Sequence, residues 1–155
     1  MKTAARSAAL ALCAFALATA GHAAELAPWD AARVTELAKQ LEAATLALDQ
    51  SVQRIPPPGP GSPQRLGHFR LQQQTRQLRR EARSMSRSLQ RGADKDQTQP
   101  SWESMMLTVR DARENARRLL TPPDVQERAT AVREILNQLT PFFDANAQPL
   151  QPVAR

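Results

Sequence analysis

Side chains capable of binding or catalysis fall into three groups in this sequence. The first is His68, the one histidine outside the N-terminal segment, and the second is a series of arginines that follows it. The third group consists of methionine and tryptophan residues further along the chain. The spacing within each group decides which chemistry can be expected of the protein.

His68 has none of the sequence partners that catalysis or metal binding requires. No histidine lies four residues from it, and the sequence contains no His-Glu-x-x-His and no Gly-x-Ser-x-Gly motif. Met85 follows on the same predicted helix at a distance of about 25 Å, so the two side chains cannot share a haem iron. We therefore predict no cofactor, no metal site and no enzymatic activity.

The arginines after His68 form a stripe on one face of a predicted helix. Arg76, Arg80, Arg83 and Arg87 are separated by four, three and four residues, and residues 64–91 contain eight arginines against one glutamate. Basic amphipathic helices are typical of contacts with acidic partners or anionic surfaces. We predict that this helix binds an unknown protein or an anionic component of the cell envelope. The alternative is a solvated face without a partner.

The third group predicts a second candidate site. Antiparallel packing of the second and third helices would bring Met85, Met105, Met106 and Trp102 to one end of a bundle. Thioethers suit a soft metal such as Cu(I), and the rings suit a small apolar ligand. The alternative function is thus a carrier or sensor of such a ligand. A hydrophobic plug in which methionine fills gaps is the purely structural interpretation.

The N-terminal segment has the layout of a secretory signal peptide. Lys2 and Arg6 precede an uncharged apolar run at residues 8–20, which ends in Ala-Thr-Ala. The run is shorter than the roughly 20 apolar residues that span a bilayer. We predict a signal peptide at residues 1–24, export to the periplasm or out of the cell, and no membrane span. Cys13 would be removed, leaving a mature chain without disulfides or thiolate sites.

Apolar residues at alternating spacings of three and four predict four amphipathic helices and no strand. In the second segment, for example, Leu71, Leu78 and Leu89 lie on one stripe, opposite the arginines. Carboxylates such as Asp49 and Glu114 lie among basic residues at helical spacings, which predicts solvated ion pairs. The predicted helices cover about residues 29–54, 63–91, 100–120 and 122–140.

Prolines and glycine separate these helices and determine the predicted topology. Pro56 ends the first helix, Gly92 ends the second, Pro100 opens the third, and Pro141 ends or kinks the fourth. Short connections favour antiparallel neighbours. We predict an all-α, antiparallel up-down-up-down four-helix bundle at residues 25–143. A two-helix hairpin that dimerises is the alternative, and a homodimer stays open.

Charge and composition restrict the partners further. Two of the 21 basic residues and none of the 15 acidic ones precede residue 25, so the exported chain would carry a net charge of +4. We predict no nucleic-acid binding, because export separates the protein from most nucleic acid and the arginine stripe lacks interleaved aromatic residues. Residues 144–155 are polar and contain proline, which predicts a disordered tail.

Overall fold

A computed structural model describes residues 26–144 and 148–151, and these residues form four α-helices and no strand. The predicted all-helical fold class is therefore confirmed, whereas the predicted signal peptide lies outside the described residues. No helix in the described part of the chain is long and apolar enough to cross a membrane. The helices are α1 (Ala31–Gln53), α2 (Gln64–Gln90), α3 (Lys95–Ala116) and α4 (Pro123–Phe143).

Aspartate side chains cap the first turns of α1 and α3. Asp30 Oδ1 accepts a hydrogen bond from the backbone N–H of Arg33 at 2.9 Å, and Asp94 Oδ1 accepts one from Gln97 at the same distance. The Gln97 side-chain oxygen accepts the Asp94 backbone N–H in return, which completes a capping box. These bonds satisfy donors that the first turn of a helix leaves free.

Two helix boundaries differ from the prediction at prolines. The third helix begins at Lys95, because the Asp94 capping box starts it before Pro100, which therefore lies inside the helix. The fourth helix continues through Pro141 and ends at Phe143. A proline within a helix removes one backbone hydrogen bond. At the end of α4, two residues after Pro141, Phe143 is buried in the core.

The contribution of the Asp94 cap to stability can be tested by mutation. Replacing Asp94 with Ala is expected to lower the free energy of unfolding by about 1 kcal/mol, because two reciprocal bonds of the first turn are lost. Urea denaturation followed by circular dichroism measures the change. Asp96→Ala, in the same turn but outside the cap, is the control and should cost only a few tenths of a kcal/mol. Equal effects would contradict the capping role.

The core lies where α1 packs against α2 and α4, and where α2 packs against α3. In contrast, α3 and α4 make few contacts with each other, although they are consecutive in the chain. This edge of the structure is therefore less closely packed than the others. All four helices supply fully buried apolar side chains, among them Val34, Leu37, Leu41, Val52, Met85, Met105, Leu136 and Leu139.

Close approach of α2 and α3 depends on a glycine. A Cβ atom on Gly67 would lie 3.0 Å from Leu119 Cδ2 and 3.4 Å from Asn115 Oδ1. Asn115 Nδ2 also donates a hydrogen bond of 2.8 Å to the Gly67 carbonyl oxygen. The small residue thus lets the start of α2 approach the end of α3 without displacing these side chains.

Asp49 is a buried carboxylate, whereas its sequence context predicted a solvated ion pair. Only 3% of the residue is exposed. Its carboxylate accepts hydrogen bonds from Arg79 Nη1 at 2.9 Å, Thr75 Oγ1 at 3.3 Å and Gln53 Nε2 at 3.2 Å. Glu114 follows the prediction: it is exposed and pairs with Arg118, four residues later, at 2.9 Å.

Two residues of the C-terminal tail, Leu150 and Gln151, lie against α3 and α4. The Leu150 backbone N–H donates to Asn137 Oδ1 at 2.8 Å, and Asn137 Nδ2 donates to the Leu150 carbonyl oxygen at 3.3 Å. The carbonyl oxygen of Gln151 accepts a hydrogen bond from Arg113 Nη2 at 2.6 Å. Side chains of two helices therefore hold this short segment by its backbone.

Candidate functional site

The basic stripe, defined as Arg76, Arg80, Arg83 and Arg87, lies on the outer face of α2. All four residues are exposed. Only Arg83 forms an ion pair within the described residues, with Glu42 of α1 at 3.7 Å. The other three guanidinium groups make no ion pair or side-chain hydrogen bond within the part of the chain that the structure describes. Most of the charge of the stripe is therefore available to a partner.

Two apolar side chains extend this surface towards the start of α2. Phe69 is 51% exposed and precedes Arg76 by two helical turns, so it lies on the same face. Leu66 is exposed nearby. Neither residue was predicted from the sequence to belong to a binding surface. The sequence did indicate their exposure, because both residues lie outside the apolar stripe of α2. An apolar side chain at such a position points away from the core.

Trp102, Met85 and Met105 are buried in the same hydrophobic core, and Met106 is partly buried against it. The Trp102 ring stacks on Phe143 with centroids 4.8 Å apart, and Trp29 meets the same phenylalanine edge-on at 5.5 Å. Such geometry is favourable for aromatic pairs. These contacts show how the rings contribute to stability, while ligand binding at this end stays a prediction.

His68 is buried and pairs with a neighbour on its own helix. Its Nε2 atom lies 3.2 Å from Gln72 Nε2, so the imidazole nitrogen accepts the hydrogen bond if the amide donates. Within the described residues no group of three or more His, Cys, Asp or Glu side chains is arranged to hold a metal ion. The hydrogen bond that the structure shows for His68 is therefore one within its own helix.

An apolar cavity of about 760 Å³, here called the α3/α4 cleft, was not predicted from the sequence. It lies where α3 and α4 make few contacts, and its walls include Ala112, Ala116 and Ala129. These small side chains belong to the two helices that border the cavity, and they do not fill the space between them. The sequence contains these alanines on the apolar stripes of both helices, which is compatible with a gap in the packing. Only the positions of α3 and α4 relative to each other show that the gap exists.

Comparison with known proteins found no matching family model, no matching curated protein and no matching solved structure.

Proposed function

We propose that this protein is an exported, non-enzymatic bundle of four helices in antiparallel up-down-up-down order, which binds an anionic component of the cell envelope through the basic stripe on α2. The observation that carries the proposal is the exposure of four arginines on one face, three of them without an acidic partner among the described residues. An acidic protein surface is the second kind of partner that this charge would suit.

A lipid surface is the version that the neighbouring side chains favour. Each Lys or Arg near an anionic membrane contributes about 1 kcal/mol of attraction, so four residues on one face act together. Phe69 and Leu66, exposed at the same end of α2, add apolar groups that suit the interfacial region of a bilayer. Because the apolar stripe of α2 is buried in the core, we expect contact with the surface and no insertion of the helix.

Vesicle binding tests this function. When vesicles of phosphatidylglycerol and phosphatidylcholine are sedimented at low salt, the wild-type protein should be found in the pellet with them. Added salt should return the protein to the supernatant, because it screens the charges. Replacing all four stripe arginines with Gln should weaken binding at least about tenfold. The matched control replaces four exposed basic residues elsewhere, so that net charge falls equally. The control positions are Lys39, Arg54, Arg110 and Arg128.

The control separates a specific surface from general attraction. If both fourfold variants lose binding equally, net charge alone is responsible and the stripe has no special role. If the wild-type protein does not bind vesicles that contain phosphatidylglycerol, the proposal of a lipid partner is wrong.

The alternative function, carriage of a small apolar ligand or a soft metal, stays a proposal. At the predicted position the stacked Trp102 and Phe143 rings and the buried Met85 and Met105 side chains are also what a hydrophobic plug requires. The geometry favours a different location for an apolar ligand, which is the α3/α4 cleft.

A further inference from the structure

We propose that the α3/α4 cleft binds a molecule with a single alkyl chain and an anionic headgroup, of the chemical class of fatty-acid carboxylates. This site is separate from the basic stripe, and its ligand would be bound one molecule at a time. The size of the cleft, the charges that line it and the position of the chain's own tail at its edge all favour such a ligand.

The cleft has the size and lining of a ligand site. Its volume of about 760 Å³ lies within the range of roughly 300–1,000 Å³ that is usual for small-molecule pockets. The lining runs along α4 from Val125 to Leu136, a length of about 16 Å at 1.5 Å per residue. Leu48 and Leu71 contribute to the wall from α1 and α2. An elongated apolar chain can therefore lie between the helices.

The charges around the cleft select an anion. The lining includes Arg113, Arg117 and Arg133 but no aspartate or glutamate. Arg117 is engaged with Glu114 at 3.4 Å, whereas Arg113 and Arg133 have no acidic partner in the described residues. The Arg113 Nε–H is buried and without a hydrogen-bond acceptor there. A guanidinium group with a free donor in a partly buried position is suited to a carboxylate, which it can bind through two parallel hydrogen bonds.

The C-terminal segment already presents both features of the proposed ligand. Leu150 is partly buried and lines the cleft, while the Gln151 carbonyl oxygen lies 2.6 Å from Arg113 Nη2. An apolar group is thus paired with an oxygen acceptor on the same arginine. Asn137 holds this segment by two further hydrogen bonds, to the backbone of Leu150. A ligand with a longer alkyl chain and a full negative charge should displace it.

Isothermal titration with dodecanoate, kept below its micelle-forming concentration, tests the site in the mature protein. We expect one molecule to bind per chain. Dodecyltrimethylammonium, which has the same alkyl chain and the opposite charge, should bind at least about tenfold more weakly, because charge-assisted bonds to arginine are lost and repulsion replaces them.

Variants locate the binding. Arg113→Gln should weaken dodecanoate binding about tenfold, while Arg110→Gln, an exposed arginine of the same helix outside the lining, should leave it unchanged. Ala112→Trp should abolish binding by filling the cleft. Ala129→Trp, at an exposed position of the opposite wall, gives the same obstruction with less risk to the fold. Leu150→Ser should strengthen binding several-fold, because the tail then competes less well.

Several results would overturn the proposal. These are equal affinity for the two amphiphiles, unchanged binding in Ala129→Trp, or equal effects of Arg113→Gln and Arg110→Gln. A dimer in analytical ultracentrifugation that Ala129→Trp dissociates, with no dodecanoate bound by the wild-type protein, would instead identify the cleft as a contact between two copies. The Gln variant of the basic stripe should still bind dodecanoate, so failure of one proposal leaves the other intact.

Discussion

Phe143→Ala is expected to lower the free energy of unfolding by about 3–5 kcal/mol, the usual cost of removing a buried phenylalanine ring. Only 4% of Phe143 is exposed, and its ring is stacked on Trp102 and touched edge-on by Trp29. The alanine variant therefore loses buried area and two aromatic contacts, and it leaves a cavity beside Trp102. The expected loss is a large part of the total stability of a domain, which is usually about 5–15 kcal/mol.

Chemical denaturation followed by tryptophan fluorescence measures the effect, because both tryptophans contact the deleted ring. Phe69→Ala is the matched control, since the same atoms are removed from a side chain that is 51% exposed. That variant should change stability by no more than about 0.5 kcal/mol. Comparable losses in the two variants would mean that the aromatic cluster contributes no more than a surface residue.

Arg79→Leu is expected to destabilise the fold by about 2–3 kcal/mol, because it leaves the buried Asp49 carboxylate without its cation. The side chain of Arg79 is itself 41% exposed, so water can replace part of the lost interaction. The loss should therefore lie below that of a fully buried pair. Thr75 and Gln53 still donate to the carboxylate but bring no positive charge.

The double variant Asp49→Leu/Arg79→Leu separates two contributions to the free energy of unfolding. One is the cost of burying the Asp49 carboxylate without a cation, and the other is the net stability that the ion pair provides. It should be more stable than Arg79→Leu alone, because no unpaired charge is then buried and Thr75 Oγ1 can still donate to the Gln72 carbonyl. Arg83→Leu is the control, since its partner Glu42 is partly exposed at 3.7 Å, and it should cost at most about 1 kcal/mol. If the double variant is the least stable of the set, the ion pair itself is a net source of stability.

The two proposed binding surfaces use arginine in different ways. On α2 the basic stripe is exposed, so its attraction should fall as salt rises. In the cleft, Arg113 is partly buried beside apolar side chains, where screening is weaker. Salt dependence therefore distinguishes the surfaces: vesicle binding should decline steeply with added salt, and dodecanoate binding much less.

Local patterns were sufficient to predict the helices and the faces of α2. The period of about 3.6 residues is a property of each segment alone, so Leu71, Leu78 and Leu89 could be assigned to the buried side, and all three are buried. The same periodicity placed Arg76 and Arg80 on the exposed side. Asp94 has the residue type of a helix cap, so the sequence also contained a signal for a start at Lys95. The prediction instead took Pro100 as the first residue of the third helix, which placed the start too late.

Features that depend on the distance between helices could not be obtained in this way. Asp49 has the same kind of local context as Glu114, yet only Asp49 is buried, because α2 brings Thr75 and Arg79 to its carboxylate. The α3/α4 cleft likewise exists because two consecutive helices pack on α1 and α2 and make few contacts with each other. Periodicity states which face of a helix is apolar. Whether that face meets another helix or a cavity depends on contacts between residues far apart in the chain.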